Sequence, residues 1–139
     1  MGAFFALILR SQLRCHTTEI KSKLTFVYSA ILFIKNNYSR SITLDEVAKH
    51  VSVSSVYLSR SFKSETGFTF KEYLVLYRLR QAENMLMQYP EKSIFEISYD
   101  CGFNDSNHFT TRFKSTYGIT PSELRAGKTP LAKKYFIAL

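Results

Sequence analysis

Phe62-Lys63-Ser64-Glu65-Thr66-Gly67-Phe68-Thr69 and Phe113-Lys114-Ser115-Thr116-Tyr117-Gly118-Ile119-Thr120 both read F-K-S-x-x-G-x-T, at an offset of 51 residues. The likeness continues upstream with one residue inserted. Glu46-Val47-Ala48 aligns with Glu96-Ile97-Ser98, Val51-Ser52-Val53 with Cys101-Gly102-Phe103, and Leu58 with Phe109. One unit of about forty residues therefore occurs twice, and a period of that size marks a repeated supersecondary unit. Chance can supply the eight-residue match; the apolar agreement on its flank makes chance a poor explanation.

The same stretches carry helix-start signals. Four S/T-x-x-E boxes occur: Thr43 with Glu46, Thr69 with Glu72, Ser93 with Glu96, and Thr120 with Glu123. In each, the hydroxyl accepts from an orphan backbone N–H and the Glu reaches back to the cap residue. Pro121 follows Thr120 at a first helical position, where its missing N–H costs nothing. Gly67 and Gly118 fit helix C-termini that need a left-handed residue. Leu24, Val27, Tyr28, Ile31 and Ile34 stand at helical spacing and predict a helix from about Lys21 to Asn37. Further helices are predicted over Leu44–His50, from after Ser54 to Gly67, and over Phe70–Gln88, where Phe70, Tyr73, Leu74 and Tyr77 share a face and Pro90 follows. Ile94–Asp100, Ser106–Tyr117 and Pro121–Arg125 complete the set. No segment alternates with a strand period over a useful length. The expected fold is all-α, with two helix-turn-helix subdomains joined by a long linker helix.

Within each repeat, the longer helix has two distinct faces. Leu58 and Phe62 in the first copy, and Phe109 and Phe113 in the second, form the core side. The opposite stripes are Val56, Ser59, Arg60 and Lys63, and Asn107, Thr110, Thr111 and Lys114, both at i, i+3, i+4, i+7. Each stripe offers hydrogen-bonding groups, ends in a lysine and lacks an acidic residue. A helix entering a major groove needs this chemistry: amide, hydroxyl or guanidinium groups for base edges, and cations for phosphates. Polar stripes usually mean only a solvated face. The duplicated frame and the charge of the whole chain favour the groove.

The chain holds nineteen Lys+Arg against eleven Asp+Glu, a net charge of +8, and so favours a polyanionic partner. At 139 residues, 45% of them hydrophobic and 22% charged, it has the balance of a globular chain and room for one domain or two very small ones. Cys15 and Cys101 form neither a disulfide framework nor a metal-ligand spacing, which suits a reducing cytoplasm. No apolar run approaches the ~20 residues of a membrane span, so no membrane partner is expected. Met1 to Leu9 lacks the basic start of a signal peptide, and Ala6 stands where a myristoylation signal wants Ser or Thr. No acid/base pair, metal cluster or phosphate-cradling glycine loop assembles. The expectation is a non-enzyme without cofactor or metal.

A linker helix of about 19 residues is ~28 Å long, against ~34 Å for one turn of B-DNA. A rigid connector of that length holds two reading helices at successive major grooves, so that one chain reads two half-sites as a monomer.

The stretch from Ile42 to Arg125 resembles the DNA-binding domain of AraC/XylS-type transcription regulators. The likeness runs through Ile42-Thr43-Leu44-Asp45-Glu46-Val47-Ala48, Tyr57-Leu58-Ser59-Arg60, Phe62-Lys63, Gly67, Phe70-Lys71-Glu72-Tyr73-Leu74, Tyr77-Arg78-Leu79 and Ala82. It continues through Ile94, Ile97, Gly102-Phe103, His108-Phe109, Phe113-Lys114, Gly118 and Thr120-Pro121. The resemblance implies two helix-turn-helix subdomains on a long helix, binding asymmetric promoter sites. It puts Val56, Ser59, Arg60, Asn107, Thr110 and Thr111 at the base-reading positions, in agreement with the stripes. It also implies RNA polymerase as a partner, and dimerisation through the N-terminal segment or a domain preceding it. Thr111 departs from the Arg found in many members, so the second helix is expected to contribute less base-specific energy. Ser98 replaces the usual small Ala, and Ser52 stands at the turn position that the second copy fills with Gly102.

Ser55, Tyr57, Lys63, Ser106, His108 and Lys114 are the expected phosphate contacts, with Arg60 on a guanine edge and Asn107 on an adenine. Arg112 shares the spacing of Phe109 and is expected to pack or pair. Cys101 reads as a buried small hydrophobe. Cys15 beside His16 lacks a third ligand. His50 reads as a surface or phosphate residue, and Arg78 and Arg80 as members of intramolecular ion pairs. The expected organisation is an apolar extension (1–20), a first subdomain (21–68), the linker (69–89), a second subdomain (90–127) and a basic, apolar tail (128–139). A sequence-specific regulator of transcription is the leading reading. The alternative is a helical protein-interaction module, whose basic faces would meet an acidic protein and show no sequence preference on DNA.

Overall fold

The computed structural model describes the backbone of residues 2–131 and the side chains of residues 17–131. The readings of Met1–Leu9, of Cys15 with His16 and of the tail beyond residue 131 lie outside the residues whose side chains are described. Seven helices occur among the described residues: α1 (Gly2–Asn37), α2 (Leu44–His50), α3 (Ser55–Thr66), α4 (Phe70–Gln88), α5 (Ile94–Asp100), α6 (Ser106–Tyr117) and α7 (Pro121–Arg125). The described residues contain no strand, and the all-α expectation holds. Six of the seven helices keep their expected limits. The exception is α1, which begins at Gly2 rather than near Lys21 and crosses residue 20 without interruption.

The chain divides into two compact units, residues 1–33 with 43–70 and residues 34–42 with 71–139. In the first, Val27, Ala30, Val47, Ala48, Leu58, Phe62 and Phe70 are buried. The five apolar residues whose spacing predicts α1 divide between core and surface. Val27 and Ala30 face inward, and Ile34 downstream is fully buried, whereas Leu24 and Tyr28 remain 49% and 62% exposed. Two aromatic contacts join the helix to its unit: Phe26 packs against Tyr57 at 5.2 Å between ring centroids, and Phe33 against His50 at 4.7 Å. Thr43 caps α2 by accepting from the Glu46 N–H. Ser54 caps α3 by accepting from the Tyr57 N–H, and Gly67 ends it in the left-handed region at φ 80°.

The second unit gathers Leu79, Ala82 and Leu86 of α4 around Ile97, Cys101, Phe103, Phe109, Phe113, Tyr117, Ile119 and Leu124. An aromatic ladder runs through it, with centroid distances of 5.1 Å for Phe103–Phe109, 5.7 Å for Phe109–Phe113 and 4.5 Å for Phe113–Tyr117. Offset and tilted ring pairs of this kind add to the stabilisation from burial. Cys101 is fully buried and its thiol lies 3.5 Å from the Met85 sulfur. Burial pushes that thiol up to about 12, which makes it inert at neutral pH. Burial and the neighbouring Glu83 carboxylate push the Tyr117 phenol up as well. The Ser93/Glu96 and Thr120/Glu123 capping boxes both close from both sides, and Pro121 occupies the first turn of α7.

Candidate nucleic-acid interface

Each unit builds its reading helix on the same turn. In the first, Val51 N–H donates to Val47 O (3.0 Å), Ser52 N–H to Lys49 O (3.2 Å) and Val53 N–H to Ala48 O (3.0 Å). In the second, Cys101 donates to Ile97 O (3.0 Å), Gly102 to Tyr99 O (2.9 Å) and Phe103 to Ser98 O (3.0 Å). These are the same three bonds at aligned positions, and they fix how α3 leaves α2 and α6 leaves α5. Ser52 and Gly102 both take positive φ, 60° and 93°. A short turn of this kind between two packed helices is the helix-turn-helix frame.

The frame holds the inner face of each reading helix in the core. Leu58, Phe62, Phe109 and Phe113 are all fully buried. On the outer stripe of α3, Val56 is 61% exposed, and Ser59, Arg60 and Lys63 are exposed with it. On α6, Asn107, Thr111 and Lys114 are exposed and Thr110 is half-buried. Neither helix has an acidic residue in its first turn, and the basic residue of the last turn is Lys63 in one and Lys114 in the other. The base-reading candidates of each unit therefore share one accessible face of one helix. Arg112, on the inner side of α6, is half-buried.

The flanking candidates are more constrained. Tyr57 is 47% exposed, with its ring held by Phe26. His108 is exposed and packs on Phe103 at 6.1 Å. Ser55 and Ser106 are half-buried at the two helix N-termini. The Ser55 hydroxyl donates to the Asp45 carboxylate, so Ser55 has its backbone N–H rather than its hydroxyl to offer a phosphate. Orphan N–H groups of a first helical turn suit an anion. His50 is exposed and packs on Phe33 with the two rings tilted.

Two contributors were not read from the sequence, and a third has partners other than those expected. Asp105 caps α6 by accepting from the Asn107 N–H at 2.8 Å. It escaped notice because His108, rather than Glu or Gln, stands three residues on. Phe26 lies outside the repeat and carries no pattern that ties it to Tyr57. Arg78 departs from the ion pair expected of it: Nε donates to Tyr38 O at 2.7 Å and Nη2 to Arg40 O at 2.9 Å. Its partners are main-chain carbonyls beyond the C-terminus of α1, the negative end of that helix.

A helix-turn-helix domain family matches residues 47–127, more than half of the chain. An AraC-type DNA-binding domain-containing regulator from Chromobacterium violaceum superposes with a TM-score of 0.71 at 32% identity, over 74% of this chain and 91% of that one. The chain belongs to the AraC-type helix-turn-helix family. Among its AraC-type relatives, the transcriptional activator RhaS of Mannheimia succiniciproducens is 44% identical over 95 residues, covering 68% of this chain and 35% of that protein. RhaS of Yersinia pestis is 34% identical over 125 residues, covering 90% of this chain and 45% of that protein. The chain thus spans less than half the length of either activator. No helix among the described residues is long and apolar enough to cross a membrane.

Proposed function

We propose that this chain is a sequence-specific binder of double-stranded promoter DNA that regulates transcription and is not an enzyme. In this reading α3 reads one major-groove half-site and α6 the adjacent one. One observation carries it. Two helices on identically bonded turns expose matched stripes at i, i+3, i+4, i+7, each ending in a lysine and neither bearing an acid. Val56, Ser59 and Arg60 contact bases in one half-site, and Asn107, Thr110 and Thr111 in the other. Arg60 donates to guanine and Asn107 pairs with adenine. Tyr57, Lys63, His108 and Lys114, with the backbone N–H groups of Ser55 and Ser106, hold phosphates.

The division into subdomains at 21–68 and 90–127, with 69–89 as connector, belongs to the same reading, as does action in the cytoplasm. RNA polymerase is the proposed protein partner. A single chain binds, and pairing through the N-terminal helix adds a dimeric form. Ile20, Leu24, Tyr28 and Leu32, 40–62% exposed along α1, supply an apolar stripe for that pairing. The test is Arg60→Ala on the best duplex site. It should cost ~1–3 kcal/mol and relax specificity at one half-site only. Equal weakening on every sequence contradicts base reading, and a wild-type chain with no sequence preference favours a protein-interaction module.

A further inference from the structure

Each reading helix carries an exposed ring with a polar tip as its third residue, Tyr57 in Ser55–Thr66 and His108 in Ser106–Tyr117. Each ring rests on a phenylalanine from another part of its own unit. Tyr57 packs on Phe26 of α1 at 5.2 Å between centroids, and His108 on Phe103 of the turn at 6.1 Å. The support differs between the copies, while the held ring stays at the same place. Phe26 lies outside both the repeat and the residues 47–127 that match the family. It is half-buried, and its contact leaves Tyr57 47% exposed. The Tyr57 main-chain N–H is spent on the Ser54 cap, so the hydroxyl is the group that Tyr57 can offer a ligand. A second contact joins the two helices, with Lys23 Nζ 3.7 Å from Glu65 Oε1 in the last turn of α3. A partly exposed pair of that length contributes little, which leaves the ring contact as the one that matters at the start of α3.

We propose that Phe26 is a positioning residue for DNA binding: it holds the Tyr57 ring so that the hydroxyl donates to a phosphate beside the first half-site. Tyr57 stands next to Val56 but off the base-reading stripe, on the flank where a strand backbone runs past a helix lying in the groove. Tyrosine suits the task because its ring packs while its hydroxyl reaches a polar group. Immobilising a free side chain weakens binding by about two- to tenfold, and a ring already packed in the free chain avoids most of that loss. The role makes α1, which lies outside both helix-turn-helix frames, part of the apparatus that meets DNA. It rests on the function proposed above.

A double-mutant cycle on the full chain decides. The unmodified chain, Phe26→Leu, Tyr57→Phe and the double variant are each titrated with the best duplex site and with the same duplex scrambled at the first half-site. Tyr57→Phe keeps the ring and removes the hydroxyl. It should weaken binding by about tenfold, and by the same factor on both duplexes, because phosphate contacts carry no sequence information. Phe26→Leu should weaken binding by about fivefold when Tyr57 is intact, and by less than about twofold in the Tyr57→Phe background. Its loss of stability in denaturant should be the same in both backgrounds. A merely structural role would move unfolding and leave the binding losses additive. If Phe26→Leu does not fold, Phe26→Met fills the same space without a ring and takes its place. Equal binding losses from the Phe26 variant in both backgrounds, or no loss in Tyr57→Phe, overturn the role while duplex binding persists. A wild-type chain that binds no duplex at all overturns the proposed function and this role with it.

Discussion

Ser52 and Gly102 occupy the same place in two copies of one turn, with the same hydrogen bonds and both at positive φ. Their surroundings differ. At Gly102 an added Cβ would strike Tyr38 O and the Arg78 guanidinium, because the segment after α1 is fastened there by Arg78. In the first copy a serine side chain is present and exposed. The turn itself thus demands only a residue willing to enter the left-handed region. The glycine is demanded by what crosses the turn in the second copy. The two copies share a backbone frame and have diverged in what each frame is packed against.

The sharpest way to break this comparison is Gly102→Ala. Left-handed strain of ~1–2 kcal/mol and overpacking of ~1–3 kcal/mol should together destabilise the chain by about 2–5 kcal/mol in denaturant unfolding. A loss below about 1 kcal/mol would show that the Arg78 fastening gives way easily. The next effect separates the reading helices. Arg60→Ala should cost ~1–3 kcal/mol of binding at its half-site, and Thr111→Ala less than about 1 kcal/mol at the other, since Thr111 has no bidentate donor pair. Equal losses would show that α6 reads bases as strongly as α3.

A smaller effect belongs to the first helix of the second copy. Ser93 accepts from the Glu96 N–H at 3.1 Å, and its own N–H donates to the Glu96 carboxylate at 2.7 Å. Ser93→Ala should cost about 1 kcal/mol. The bonds from the Ser93 backbone and side chain hold the Glu96 carboxyl below the usual range. Its contribution is therefore full above the unfolded value near about 4.3 and is lost as pH falls through the lower folded value. An acid titration of stability should show that loss in the wild type and less of it in Ser93→Ala. The smallest expected effect is Ser52→Gly, within about 0.5 kcal/mol of zero, because relief of left-handed strain is offset by the greater freedom glycine has in the unfolded chain.

The repeat made most of the fold legible. F-K-S-x-x-G-x-T, the capping boxes and the helical spacing gave the all-α class and the limits of six helices, because those signals are local. The two stripes were legible for the same reason: Leu58 with Phe62, and Phe109 with Phe113, define the inner face and so its opposite. Which face of α1 packs was not legible, because Phe26 and Phe33 find their partners, Tyr57 and His50, far along the chain. Nothing in a one-dimensional spacing reports such a contact. Arg78 was misread for a related reason. Its acceptors are carbonyls at Tyr38 and Arg40, and a carbonyl has no residue type to search for. Asp105 was missed because it caps α6 without a Glu or Gln three residues on.

Selection of duplex sites from a random library tests the central claim most directly, because it asks whether both stripes read bases. The account predicts a two-part motif with centres ~10 bp apart, a mismatch cost of ~1–3 kcal/mol per base pair, and a sharper preference in the half that Arg60→Ala erases. Enrichment of no motif, with binding abolished by moderate salt on every sequence, would contradict it.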